Sequence, residues 1–230
     1  MKESLIKKRM ESVLNDSQIT DAQKESFASA LRENGYKCVQ EANRSYLGFL
    51  SLSAAFTLII SAQVNKLTIL GIDFSKDNLA ILLLPSGASF FLYRASCLNQ
   101  LGAIIDRALE AYYQLMRKSI AEEKLYELLR FPSIVEAEQA LYKVAKRSNF
   151  VEKSGLLWLA LLSIFLLLTP IMWFAVMIRW LFAVSSFDTS WKVLTTAAIL
   201  LFGVRAIWVM VQTWAYARED PTAYEARSRD

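Results

Sequence analysis

Residues 155–178 are GLLWLALLSIFLLLTPIMWFAVMI, a run of twenty-four residues without a single charged side chain. Built as an α-helix with a rise of about 1.5 Å per residue, the run is about 36 Å long. The hydrocarbon core of a bilayer is about 30 Å thick, so a helix of this length and composition is long enough to cross it. The run predicts a transmembrane helix.

Three further segments have a similar length and composition. Residues 46–64 carry no charge, residues 78–98 carry only Arg94, and residues 193–217 carry only Arg205. A soluble protein can bury one such run in its core. Four of them in a 230-residue chain that is 54% hydrophobic leave too little polar chain to cover the rest. We therefore predict an all-α integral membrane protein.

The predicted chain has four transmembrane helices in two hairpins and a helical cytoplasmic module. The expected parts are N-terminal cytoplasmic helices (1–45), a first transmembrane hairpin (46–98, crossing at 46–64 and 78–98), a cytoplasmic helical segment (99–154), a second hairpin (155–217, crossing at 155–178 and 193–217) and a cytoplasmic tail (218–230).

The distribution of lysine and arginine predicts the orientation of these crossings. The N-terminal segment, the middle segment and the tail together hold twenty of these residues, whereas the two short connections hold four. Because cytoplasmic segments near membrane helices are enriched in positive charge, we expect both termini and residues 99–154 in the cytoplasm. The expected location is a cell membrane, most naturally the inner membrane of a bacterial cell.

The cytoplasmic segments carry recognisable helix boundaries. Thr20 and Gln23 have the spacing of a capping box that begins a helix, and Asn34-Gly35 predicts its end. We expect the N-terminal helices to pack on the middle segment, on a partner or on the membrane surface, because a pair this small cannot bury a core of its own.

The middle segment has no helix breaker before Pro132. The helix that begins at Asn78 is therefore predicted to continue as far as Arg130, with an apolar face among its charged residues. A capping box at Ser133 and Glu136 predicts one more helix over residues 134–149.

Two groups of polar residues fall on faces of the first two predicted crossings. Ser53, Thr57 and Ser61 are spaced four apart, and Ser86, Ser89 and Tyr93 follow a three-four spacing. Small hydroxyl residues at this spacing favour close helix packing, and they also suit the lining of a pore. Near the second group, Pro85 is expected to leave a backbone carbonyl unpaired, which neighbouring hydroxyls would compensate.

Arg205 lies at the centre of the last predicted crossing. A central arginine costs about 2.5–3.5 kcal/mol on insertion scales, so we expect its side chain to face a protein interior or a wet cavity. Gln212 lies seven residues further on the same helical face. Two roles remain open for Arg205: a structural one, binding helix carbonyls or lipid phosphates, and lining of a polar path or anion site.

Other charged residues lie near the expected inner leaflet. The candidates for contacts with anionic lipid or with cytoplasmic groups are Arg94, Asp106, Lys7, Lys8, Arg9, Lys143, Lys146 and Arg147. Their basic clusters are interleaved with acids, which suits lipid better than nucleic acid. No nucleic-acid partner is expected.

The residue inventory excludes several classes of site. The chain has no histidine and only two cysteines, so it cannot form a Cys/His zinc site or a histidine-based triad. Nucleotide-binding, zinc-protease and serine-hydrolase motifs are also absent. We expect no metal, no cofactor and no enzymatic activity.

Two functions fit this composition. The leading hypothesis is a homo-oligomeric channel or membrane-permeabilising effector, controlled by a cytosolic protein partner through the cytoplasmic helices. By analogy of architecture alone, small helical effectors of bacterial defence and toxin systems have this build. The alternative is a non-conducting anchor or sensor that recruits a cytosolic partner to the membrane. Polar groups that face one another inside one bundle favour the anchor, whereas groups that converge on an oligomer axis favour the channel.

Overall fold

The protein is described from a computed structural model, which covers residues 5–117 and 149–218. It is 81% helical, with five helices in the described part. In chain order the elements are α1 Leu5–Leu14, α2 Asp21–Ile60, strands β1 Lys66–Ile69 and β2 Ile72–Ser75, a 3-10 turn Leu79–Leu82, α3 Leu83–Met116, α4 Asn149–Ala183 and α5 Thr189–Arg218.

Helix α2 begins as predicted and ends much later than predicted. The Thr20 backbone N–H donates to Gln23 Oε1 at 2.9 Å, and the Gln23 N–H donates back to Thr20 Oγ1 at 3.3 Å, which confirms the capping box. The predicted end at Asn34-Gly35 is wrong, because α2 is one helix of 40 residues. A Cβ at Gly35 would lie 3.3 Å from Ile105 Cγ2, so this glycine admits the close approach of α3 instead of ending α2.

The connection between α2 and α3 forms a β-hairpin, which corrects the prediction of a purely helical chain. Strands β1 and β2 pair antiparallel in a register that sets Lys66 opposite Ser75 and Ile69 opposite Ile72. The turn residues Leu70 and Gly71 both have positive φ angles, of 50° and 77°. This is the geometry that a two-residue hairpin turn requires, and glycine adopts it without steric cost.

Pro85 does not interrupt a helix, contrary to the expectation that it leaves a backbone carbonyl unpaired. The 3-10 turn Leu79–Leu82 precedes α3, and Pro85 is the third residue of α3. In the first turn of a helix the backbone N–H has no intrahelical partner, so proline removes nothing there. Asn78 caps the 3-10 turn by accepting a hydrogen bond from the Ala80 N–H at 3.0 Å.

Two helical stretches are long and apolar enough to cross a membrane: Leu79–Met116 and Thr189–Gln212. They cover residues 79–98 of the predicted crossing at 78–98 and residues 193–212 of the predicted crossing at 193–217. Helix α4 contains the predicted crossing at 155–178 together with Pro170, and its stretch Leu168–Ala183 is apolar but shorter.

The first predicted crossing, 46–64, is shorter in the structure than in the prediction. Helix α2 ends at Ile60, so its uncharged part begins at Ser45 and is about 24 Å long at 1.5 Å per residue. That is less than the roughly 30 Å thickness of the hydrocarbon core that a transmembrane helix has to cross. Membrane-length helices are therefore shown for two of the four predicted crossings.

The chain divides into two compact units. The amphipathic unit consists of residues 1–40, 98–162 and 212–230, and the apolar unit consists of residues 41–97 and 163–211. In the amphipathic unit, α1 packs against α2 and α3 through one buried cluster. Its members are Met10, Leu14, Ala28, Ala111, Tyr112 and Tyr113. The N-terminal helices therefore pack on the segment after residue 98, the first of the three predicted alternatives.

The core of the apolar unit is built from α2, α3, α4, α5 and the β-hairpin. Phe56, Ile59, Met177 and Ile199 are completely buried there. Phe74 of β2 joins the same core.

Several predictions fall outside the described residues. These are the helical state of residues 118–130, the helix at 134–149, the basic residues Lys143, Lys146 and Arg147, and the tail from residue 219 onward. Within the described residues, α3 ends at Met116, so the prediction of one unbroken helix from Asn78 to Arg130 is wrong.

Candidate functional site

The hydroxyl groups of α3 are bonded to the helix that carries them. Ser86 Oγ donates to the Leu82 carbonyl at 3.1 Å, and Ser89 Oγ donates to the Pro85 carbonyl at 2.8 Å. Further along α3, Ser96 Oγ donates to the Leu92 carbonyl at 2.8 Å. Such a bond satisfies a hydroxyl without any second helix or any water.

The burial of these residues places them inside a packed core. Ser89 has no exposed surface and Ser96 is 2% exposed. The ring of Tyr93, the third member of the predicted stripe, lies 6.0 Å from the ring of Phe202. Ser89 and Ser96 therefore pack against protein within the single chain, whereas Ser86 and Tyr93 are partly exposed.

The predicted stripe on α2 is divided between two environments. Ser53 is buried, and its hydroxyl has no hydrogen-bond partner among the described residues. Thr57 is exposed and donates to the Ser53 carbonyl at 2.8 Å. Ser61 lies just past the end of α2, is exposed and donates to the Leu58 carbonyl. The three residues do not form one continuous polar surface.

Glycines bring the helices of the apolar unit close together. A Cβ at Gly48 would lie 3.1 Å from the Phe91 ring, and one at Gly87 would lie 3.0 Å from Leu52 Cδ1. At Gly203 an added Cβ would lie only 2.7 Å from the Phe174 ring. Small residues at helix contacts are the usual means by which membrane helices pack.

Aromatic rings fill the space between these helices. The ring centroids of Phe49 and Trp173 are 5.7 Å apart, and those of Phe56 and Trp180 are 5.2 Å apart, both edge to face. A third pair, Phe90 and Phe202, has a centroid distance of 5.6 Å. The interior of the apolar unit is thus filled by interlocked rings.

Arg205 occupies a different position from every hydroxyl described above. Its side chain is exposed on the outward surface of α5, within the membrane-length stretch Thr189–Gln212. Its exposed neighbours Leu201, Val204 and Trp208 are all apolar. No hydrogen bond or ion pair joins the Arg205 side chain to another residue in the described part of the chain. The described residues therefore do not provide the expected protein interior around Arg205.

Arg94 has a partner that sequence reasoning did not find. Its Nη2 donates to Glu41 Oε2 at 2.7 Å, and Arg44 Nη1 donates to Glu41 Oε1 at 2.7 Å. The Arg44 hydrogen bond and then the Arg94 hydrogen bond lower the pKa of the Glu41 carboxyl. The three-residue spacing of Glu41 and Arg44 was a visible signal for the first contact. No sequence signal links Glu41 to Arg94, 53 residues away.

The amphipathic unit has its own cross-links between helices. Arg32 Nη2 on α2 donates to Tyr113 Oη on α3 at 2.6 Å, and Arg117 pairs with Glu25. Asp106 and Lys7, two of the predicted inner-leaflet candidates, are partly buried and have interaction partners, whereas Lys8 and Arg9 are exposed.

The chain has two cysteines, one on α2 and one on α3. Cys38 is buried and Cys97 is partly exposed, and both are free. Burial raises the pKa of the Cys38 thiol. Over residues 5–117 and 149–218, no three cysteine, aspartate or glutamate side chains come together as metal ligands would.

Comparison of the chain with protein-family models, with curated proteins and with solved structures gives no match. The candidate site therefore rests on its own geometry.

Proposed function

We propose that this chain is a subunit of a homo-oligomeric membrane channel or membrane-permeabilising effector, and that the outward face of α5 lines its polar path. The observation that carries the proposal is the exposed Arg205 on a membrane-length helix, surrounded by exposed apolar side chains. An arginine in this position is costly if lipid covers it. Another copy of the chain, or water held between copies, removes that cost.

Escape of the Arg205 side chain to the membrane surface is a poor alternative. The next charged residue of α5 is Arg218, thirteen residues or about 20 Å further along the helix axis. Helical side chains lean toward the N-terminus of their helix, so that of Arg205 points away from Arg218. The guanidinium therefore stays within the apolar depth, where it needs a polar surrounding.

The path that we propose follows α5 and not the hydroxyl groups of α2 and α3. Gln212 lies on the Arg205 face by its spacing of seven residues and is the second polar residue of this path. Ser89 and Ser96 are satisfied by carbonyls of their own helix and buried within one chain, so they serve packing. Arginine on the path favours anions over cations, because its guanidinium is always charged.

The proposal includes the remaining predictions on topology and control. All four crossings span the membrane of a bacterial cell, and both termini are cytoplasmic, as the excess of lysine and arginine in those segments suggests. The amphipathic unit receives a signal from a cytosolic protein partner, since it contains the segments on the cytoplasmic side of this topology.

Ion flux from liposomes that contain the purified protein tests the proposal. We expect flux from the native protein, alone or with its partner added, and a reduced preference for anions in Arg205→Gln. Arg179→Gln is the matched control, because Arg179 is an equally exposed arginine that lies near the end of α4. Its replacement removes the same charge outside the proposed path and should leave the selectivity unchanged.

A non-conducting membrane anchor is the second candidate, and one observation favours it. The serines of α3 bond their own helix and the interior is filled by aromatic rings, as in a bundle built only to be stable. Sealed liposomes under every condition, with folded and correctly oriented protein, would rule out conduction. Arg205 would then be a structural contact between subunits.

A further inference from the structure

Glu41, Arg44 and Arg94 form a small charged cluster on the apolar unit. Arg44 and Arg94 are here called the arginine pair. Both hydrogen bonds to Glu41 are 2.7 Å long. The side chains of Arg44 and Arg94 are 64% and 42% exposed, so the cluster is open to its surroundings. It joins α2 to α3, because Glu41 and Arg44 lie on one helix and Arg94 on the other.

The cluster marks the same boundary on both helices. Arg44 is the last charged residue before the uncharged stretch 45–64, which contains the apolar part of α2. Arg94 is the first charged residue of α3, after eleven uncharged residues. The bond between Arg94 and Glu41 sets these two boundaries at one level. Charged residues at the end of an apolar stretch lie at the depth of the lipid headgroups.

The two guanidinium groups keep most of their hydrogen-bonding capacity. Each has five N–H donors, and the contacts with Glu41 use one from each. Within the described residues the other donors have no protein partner. Glu41 cancels only one of the two positive charges and holds both side chains in place. A planar, preoriented pair of guanidinium groups with a net positive charge matches the geometry of a phosphate.

We infer that Arg44 and Arg94, held by Glu41, bind the phosphate group of an anionic membrane lipid at the cytoplasmic interface. The phosphate accepts the free N–H donors of both arginines, while the lipid chains lie beside the uncharged parts of α2 and α3. Basic sites between membrane helices on the cytoplasmic side bind acidic headgroups in this manner. This site does not depend on conduction, and it exists equally in a channel and in an anchor.

Lipid selection by the purified full-length protein tests the site. The protein is equilibrated in mixed vesicles of phosphatidylglycerol and phosphatidylcholine, extracted with mild detergent, and the retained lipids are counted by native mass spectrometry. We expect enrichment of phosphatidylglycerol over its bulk fraction. Arg44→Gln should reduce this enrichment about fivefold, and Arg44→Gln/Arg94→Gln should abolish it.

The choice of Arg44→Gln and two further variants make the result specific. Arg44→Gln leaves the Arg94–Glu41 contact between the helices intact, so its effect does not arise from unfolding. Lys66→Gln is the matched control, since Lys66 also pairs at 2.7 Å with a single exposed carboxylate, Asp73, in the same unit. Arg94→Lys keeps the positive charge but loses the planar, forked set of N–H donors of the guanidinium group. It should retain part of the enrichment of phosphatidylglycerol.

The inference is overturned if Arg44→Gln retains full enrichment, or if Lys66→Gln reduces it equally, which would indicate a general effect of charge. It is also overturned as a lipid site if glycerol 3-phosphate at millimolar concentration displaces the phosphatidylglycerol completely. That result would assign the phosphate chemistry to a soluble ligand.

Discussion

In the amphipathic unit, side chains on different helices bond one another, whereas in the apolar unit the serine hydroxyls of α3 bond the helix that carries them. Arg32 on α2 reaches Tyr113 on α3, and Arg117 pairs with Glu25. Ser89 and Ser96, by contrast, donate to carbonyls four residues earlier on α3 itself. Apart from the Arg94–Glu41 bond between α3 and α2, the helices of the apolar unit are held by glycine contacts and by aromatic rings.

The proposed topology, in which the apolar unit lies in lipid and the amphipathic unit lies in water, accounts for this difference. In lipid, no hydrophobic free energy is gained when an apolar helix exchanges contacts with acyl chains for contacts with another helix. Helix association there depends on close van der Waals packing. In water, burial of an apolar stripe drives the association of amphipathic helices, and polar contacts then fix their register. Perturbing one contact of each kind tests this account.

The largest effect is expected from enlargement of Gly203. In Gly203→Leu the new side chain meets the ring of Phe174, which is itself buried and cannot move aside. Overpacking of this kind costs roughly 1–3 kcal/mol or more. Thermal unfolding in detergent, followed by circular dichroism, measures the loss. Ala197→Leu adds a leucine to an exposed position of the same helix and should change the midpoint little. Equal midpoints for both variants would contradict the packing of α4 against α5.

A smaller effect is expected in the amphipathic unit from Tyr113→Phe. The substitution removes the hydroxyl that accepts from Arg32, whose Nε is already buried without a partner in the described part of the chain. The expected loss is roughly 1–2 kcal/mol of unfolding free energy, since the bond involves a charged donor. Chemical denaturation provides the measurement. Tyr112→Phe, at the neighbouring buried tyrosine, should cost less than about 0.5 kcal/mol. Equal losses of unfolding free energy in Tyr113→Phe and Tyr112→Phe would contradict a stabilising role of the Arg32–Tyr113 hydrogen bond.

The smallest effect is expected from the serines of the apolar unit. Ser89→Ala removes a hydroxyl that bonds only its own helix, and alanine's better helix propensity offsets the loss, so the net change is about zero. Ser53→Ala removes a buried hydroxyl that has no described partner, and should stabilise by roughly 0.5–1 kcal/mol. The two unfolding midpoints are compared directly. Destabilisation by Ser53→Ala would show that this hydroxyl has a partner in the assembled protein.

Much of the helical architecture was predictable, because long uncharged runs and capping boxes are local signals. The start of α2 at Thr20 and the apolar character of α3, α4 and α5 are examples. The length of α2 was not predictable, because the sequence Asn34-Gly35 resembles a helix end. Gly35 is small because Ile105 lies close by, a reason that belongs to tertiary packing.

The β-hairpin was missed for a related reason. Its turn is Leu70-Gly71, without the Asn-Gly or Asp-Gly pair that marks such turns most strongly. Of the candidate site, the sequence identified Arg94 and Arg205 as unusual. It did not show that Arg94 has a carboxylate partner on another helix or that Arg205 faces outward.

The contrast between the two cysteines has a practical consequence for chemical labelling. Maleimide reacts with thiolates, and the buried Cys38, whose pKa is raised, offers few of them. Cys97 is partly exposed and follows Arg94 by three residues on α3. The native chain therefore carries one preferred attachment point for a fluorophore or spin label, beside the arginine pair, and lipid arrival there is observable without engineering a cysteine.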